Sequence, residues 1–179
     1  GSAGKYLGGF DQGAVDLRYA LRFAARDERL KAFKRVLVGH SWGGFSVMNS
    51  LDTDVAVEGA VALCGFVSSA GVIAQNTMGK CRFAEWACRN YFKLFNRIRF
   101  GKMANFDAIR SLKKTKKPVL LFYGEQDATV RFPGNGARVR EAVRGMENIT
   151  YVSCPEKGHN VYLTVDAETY MHKTFGDIL

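Results

Sequence analysis

The sequence predicts an α/β fold: a mainly parallel sheet with helices on both faces and a helical insertion between two of its strands. Three observations carry this expectation. Short, nearly continuous apolar runs at 36–38, 59–64, 119–123 and 149–153 read as strands covered on both faces. Segments with apolar residues at helical spacing alternate with them, as βα units require. The first apolar run also leads straight into a glycine-flanked serine and then a helical stripe, which is a strand, a sharp turn and a helix in sequence.

The elements follow in order. Residues 1–9 are a glycine-rich loop, and Asp11 is placed to cap a helix running to about residue 30, with Ala14, Leu17, Leu21 and Ala24 as its apolar stripe. After a short basic connection comes the strand 36–38, then a helix ending near residue 50. A polar turn at 52–54 precedes the second strand at 59–64, and 65–71 is a loop of small residues. From about 72 to 111 the character changes: Trp86, Tyr91, Phe92, Phe95, Phe100 and Phe106 stand among many Lys and Arg. Phe83, Trp86, Ala87, Tyr91 and Leu94 share helical spacing, so this segment reads as two or more helices forming a cap, with one long crossover helix as the simpler alternative. The third strand at 119–123 ends in Gly124-Glu125-Gln126-Asp127. A helix over 135–144 carries Val139 and Val143, the fourth strand follows at 149–153, and a loop at 155–160 holds His159. A last helix is expected from about 166 to the end. The whole, 1–179, reads as one partial domain with the cap at about 72–111.

Composition limits the function classes. The chain has 179 residues, 47% of them hydrophobic, enough for one domain with a core. No uninterrupted apolar run of about 18 residues suggests a transmembrane helix. Four cysteines lack metal-ligand spacing and read as free thiols, which fits a reducing compartment and a cytoplasmic location. The formal net charge is +9, concentrated in the cap region. A solvated cap surface is the preferred reading there. Attraction of carboxylate-bearing substrates is an alternative, and nucleic-acid binding is disfavoured because no recognised module is present.

The chemistry centres on Gly39-His40-Ser41-Trp42-Gly43, which fits G-x-S-x-G. Such a turn lifts a serine hydroxyl clear of the sheet and aims the N–H of the next residue, here Trp42, at an oxyanion bound there. An ordinary helix N-cap is the competing role for Ser41. A serine hydroxyl needs a base, and the base needs an orienting acid. Asp127 and His159 follow, each just beyond an expected strand, on the edge where α/β sheets bind ligands. His40, in the turn and expected to point away, and His172, on the last helix, are the weaker candidates for the base. Glu125 and Glu156 are the weaker candidates for the acid.

These motifs resemble those of the α/β-hydrolase fold serine hydrolases. The segments that carry the likeness are Val38-Gly39-His40-Ser41-Trp42-Gly43-Gly44, Phe122-Tyr123-Gly124-Glu125-Gln126-Asp127 with Val130, and Lys157-Gly158-His159-Asn160. The chain is most similar to bacterial enzymes grouped with serine aminopeptidases and acylaminoacyl-peptidase-like hydrolases, over their C-terminal two-thirds. The resemblance implies a Ser41–Asp127–His159 triad, an ester- or amide-cleaving acyl-enzyme at Ser41, no metal or organic cofactor, and a sheet ordered 1-2-4-3-5-6-7-8 in the complete fold. It also implies that four N-terminal strands, and the loop giving a second oxyanion N–H, are absent from this sequence. The strand before Ser41 is then an unpaired edge, open to self-association or to a second chain. The alternative function is a non-catalytic half-domain or interaction module.

Overall fold

The computed structural model describes residues 8–53, 56–78, 81–161 and 172. Four strands, β1 (Val36–His40), β2 (Gly59–Leu63), β3 (Val119–Gly124) and β4 (Ile149–Cys154), form one sheet in the order β1-β2-β3-β4. All three pairings are parallel, with Val38 opposite Val61, Val61 opposite Leu120, and Leu120 opposite Thr150. The chain therefore returns to the same end of the sheet before each strand, and every strand's carboxyl end lies along one edge. β1 is the outer strand of the described sheet, and Val38 on it is 66% exposed.

Alternation of side chains along the strands divides the core in two. Leu37, Ala60, Ala62, Val119, Leu121 and Tyr123 point to one face. There they meet the helices α1 (Phe10–Arg26), α2 (Trp42–Met48), α5 (Ala108–Lys114) and α6 (Gly136–Ala142) through Leu21, Met48, Leu112 and Val139. Val61, Leu120 and Phe122 point to the other face, where Val161 and Cys64 join them. The helix expected from about 166 lies outside the described residues, apart from His172, which is helical and exposed.

Two more helices, α3 (Ser69–Met78) and α4 (Arg82–Phe100), stand with α5 between β2 and β3. α3 begins at Ser69, inside the stretch expected to be loop. A third cluster ties this region to the sheet edge: Ala14 of α1, Phe45 of α2, Phe66, Val72 of α3 and Val130 pack together. The Phe45 and Phe66 rings stack at 4.5 Å. α4 is built the reverse way. Its only buried residue is Asn96, while Phe83, Trp86, Leu94 and Ile98 stand exposed along its outer side.

The expectation for Asp11 is corrected. α1 starts at Phe10 after Gly9 and ends at Arg26, and Asp11 lies fully buried in its first turn instead of capping it. Its Oδ2 accepts the Asn105 N–H at 2.7 Å, which pins the segment between α4 and α5 to α1. Burial pushes its carboxyl above the usual carboxylate range, against the hydrogen bonds from Ser69 and Asn105.

Candidate active site

Ser41 follows the last residue of β1 and precedes the first of α2. Its backbone is at φ 55°, ψ −114°, a region that side-chain-bearing residues seldom occupy. Two hydrogen bonds hold it there: its N–H donates to Leu63 O at 2.8 Å, and its carbonyl accepts from Phe45 N at 3.0 Å. The turn closes because Gly39 has no side chain. A Cβ there would lie 2.4 Å from the Gly43 carbonyl carbon and oxygen. A Cβ on Gly43 would touch nothing within 4 Å among the described residues, so the steric demand falls on the first glycine of the motif. Trp42 opens α2, where a helix leaves N–H groups without intrahelical partners. The Trp42 indole donates to Phe10 O at 2.7 Å, which fastens the elbow to α1.

Asp127 lies three residues past β3 and is buried. Its carboxylate does two things at once. Oδ1 accepts the N–H groups of Thr129 and Val130, both at 2.8 Å, as in a capped turn. Oδ2 lies 2.7 Å from His159 Nδ1. A carboxylate oxygen accepts, so Nδ1 carries the hydrogen, and in the neutral ring Nε2 is left with its lone pair. A turn-capping role and a histidine-orienting one thus coexist on different oxygens of Asp127.

The loops bearing Asp127 and His159 are fitted to each other by backbone. Glu125 N donates to Cys154 O at 3.0 Å, and Gln126 N to Lys157 O at 2.9 Å. Gly124 permits this contact, since a Cβ on it would lie 2.1 Å from Gly158 O and 2.4 Å from Lys157 O. The alternative acids are placed elsewhere: Glu125 Oε1 accepts from Ser153 Oγ at 2.7 Å, and Glu156 is exposed. Ser41 stands on the same sheet edge. Among the described residues its hydroxyl makes no hydrogen bond to His159, and such bonds in substrate-free sites are often loose.

The sequence reading missed two neighbours. His40, expected to point away, packs its ring 4.6 Å from that of His159 and donates from Nε2 to the His159 carbonyl at 2.8 Å. This bond fixes the backbone that carries His159. Cys64, one residue beyond β2, is buried at φ 47°. Ligand atoms of His40, Cys64 and His159 lie within 4.8 Å of one another. Burial, reinforced by the Asp127 carboxylate, pushes the Cys64 thiol up to about 11, so it is protonated at neutral pH and poorly prepared to ligate a metal. The signal available in sequence was position alone: each residue falls at the carboxyl end of a strand.

The comparisons with known proteins agree with this geometry in fold. The chain resembles a Pyrococcus furiosus esterase with a TM-score of 0.66 at 16% identity, over 97% of this chain and 66% of that one. It resembles acetyl xylan esterase 1 from Thermoanaerobacterium with a TM-score of 0.61 at 17% identity, over 98% of this chain and 59% of that one. A puromycin hydrolase mutant is similar over 82% of this chain and 22% of its own, with a TM-score of 0.56 at 20% identity. The chain thus spans about two thirds or less of these proteins, and at such identities the likeness is one of fold, that of the α/β-hydrolases. No curated protein matches it in sequence. The model of the prolyl oligopeptidase family matches residues 11–175, nearly the whole chain, and the protein belongs to that family.

Proposed function

We propose that the chain carries the catalytic half of a serine hydrolase that cleaves an ester or amide through an acyl-enzyme at Ser41. The observation that carries this reading is the 2.7 Å contact between His159 Nδ1 and Asp127, on the sheet edge where Ser41 sits in a strained turn. Ser41 Oγ attacks the substrate carbonyl as His159 Nε2 takes its proton. The Trp42 N–H, at the positive end of α2, donates to the oxyanion of the tetrahedral intermediate. His159 then passes the proton to the leaving alcohol or amine, and the acyl group stays on Ser41. Water, deprotonated by His159, attacks the acyl carbon; His159 then returns the proton to Ser41 Oγ as the ester bond to Ser41 breaks and the acid leaves. Asp127, accepting from Nδ1, holds the ring with Nε2 toward the reaction. Nothing in this sequence of steps requires a metal or organic cofactor.

The helices between β2 and β3 serve in this reading as the cap that shapes the substrate pocket. Free cysteines are in keeping with a cytoplasmic setting. Among the described residues no helix is long and apolar enough to cross a membrane. A second reading makes the chain an interaction half-domain that gains activity only when another segment, a second copy or a second chain pairs with β1. The exposed outer edge at Val38 favours it.

Hydrolysis of 4-nitrophenyl acetate by the purified chain tests the first reading. Ser41→Ala and Asp127→Asn should each lower kcat by at least about 10³-fold, with circular dichroism unchanged. A Ser41→Ala protein as active as the parent would refute it. No turnover in the parent chain, recovered when a partner pairs with β1, would select the second reading.

A further inference from the structure

The basic residues of α4 are not all spent on its outer surface. Two adjoining cavities, of about 400 and 240 Å³, open between α4, the start of α3 and α6. They share Arg89, Arg138, Ser68 and Val67 in their walls, and Lys93 lines the larger. We propose that this double cavity is a binding site for a small oxyanion, a carboxylate or phosphate group.

Unsatisfied donors point to an occupant. Gln75, more than nine-tenths buried, lines the smaller cavity, and its Nε2 has no hydrogen-bond partner among the described residues. The Arg89 Nε is likewise buried without a partner among the described residues. Buried N–H donors left unmatched cost about 1–3 kcal/mol each, so two of them lining one cavity call for an acceptor inside it. The N-terminus of α3, ten residues long, begins at Ser69 in the cavity wall and turns its positive end to the same space.

The acidic groups nearby are already engaged. Glu85 is paired with Arg89, and Asp107 Oδ1 accepts the Arg110 N–H as the cap of α5. Asp11, behind Ser69, accepts the Asn105 N–H through its Oδ2 at 2.7 Å. Lys93 and Arg138 remain as charge on the cavity's exposed rim, with Arg89 beside them. The loop from β2 into this wall starts against the elbow, where a Cβ on Gly44 would lie 3.1 Å from the Gly65 Cα. An anionic end of the substrate is therefore one source of the ligand, and this part rests on the hydrolase reading. A free anion acting as effector is the other.

Calorimetric titration of the full chain at low salt with inorganic phosphate and with succinate tests the site. Saturable one-to-one binding is expected, weakened at least tenfold in Lys93→Gln/Arg138→Gln. A control with the same loss of charge, Lys34→Gln/Lys116→Gln, at the opposite edge of the sheet, should bind as the parent does. No saturable binding, or equal weakening in both double variants, overturns the proposal whether or not the chain is an enzyme. In an active chain, mono-4-nitrophenyl succinate and neutral 4-nitrophenyl butyrate separate the sources. A KM for the succinate ester alone that rises at least tenfold in Lys93→Gln/Arg138→Gln assigns the site to the substrate. Unchanged KM values with weakened phosphate binding assign it to an effector.

Discussion

At the scale of single residues, the site depends on backbone held where side chains rarely allow it. Ser41 keeps φ 55° because the turn is bonded to β2 on one side and to α2 on the other. Gly39 makes room for that turn, and Gly43 does not need to be glycine for steric reasons. Gly39→Ala should therefore destabilise the protein by about 1–3 kcal/mol through forced overpacking against backbone. Gly43→Ala should leave it unchanged or stabilise it by up to about 1 kcal/mol through helix propensity. Urea denaturation of the two variants checks this, and equal destabilisation would show that the motif's second glycine is also sterically required. That Ser41, Asp127 and His159 each fall beyond a strand was legible in the sequence, because an apolar run precedes each of them. Asp127 was harder, since a turn cap and a histidine partner look alike until both oxygens are placed. The His40 contact was illegible: it joins residues 119 positions apart, and only the docking of the His159 loop onto the sheet edge creates it.

At the scale of elements, strands were easier to anticipate than helix ends. Continuous apolar runs located all four strands within a residue or two, because a parallel strand covered on both faces admits few polar residues. Asp11 misled as a helix start. The acidic side chain near an N-terminus is normally a cap, but here tertiary burial against Asn105 overrides the local preference. α4 shows the same override on a larger scale. Its apolar stripe would normally mark a face turned to the core, yet the side facing α3 carries Asn96, whose Nδ2 donates to Ser69 Oγ at 3.0 Å. Phe83 and Ile98 are 75% and 78% exposed. Phe83→Gln and Ile98→Gln should each change stability by no more than about 0.5 kcal/mol, as for other exposed positions. A loss well above 1 kcal/mol in chemical denaturation would mean that this face is covered in solution.

At the scale of the whole molecule, the parallel order β1-β2-β3-β4 brings Ser41, Cys64, Asp127 and His159 to one edge without any of them being near another in sequence. The same packing buries groups that titrate at high pH. Burial pushes the Cys64 thiol up to about 11, and raises the phenols of Tyr123 and Tyr151 in the same direction. Above pH 9 the unfolded chain releases the Cys64 proton while the folded chain retains it, so stability falls as pH rises. Between pH 9 and 11 this thiol alone should remove about 1–3 kcal/mol. Urea midpoints at pH 8 and pH 10.5 measure the loss, and equal midpoints would contradict the burial of these groups. The order of the strands followed from the resemblance of the motifs. The cavity lined by Arg89, Lys93 and Arg138 did not, because it depends on where α4 sets Arg89 and Lys93 against α6.

The most direct measurement is the intact mass of the chain after exposure to a fluorophosphonate, compared with Ser41→Ala and His159→Ala. One phosphonyl adduct is expected on the parent chain, none on Ser41→Ala, and at least about 10²-fold slower addition to His159→Ala, because the hydroxyl loses its base. An adduct that persists in Ser41→Ala, or forms equally fast without His159, would contradict the assignment of Ser41 as a nucleophile activated by His159.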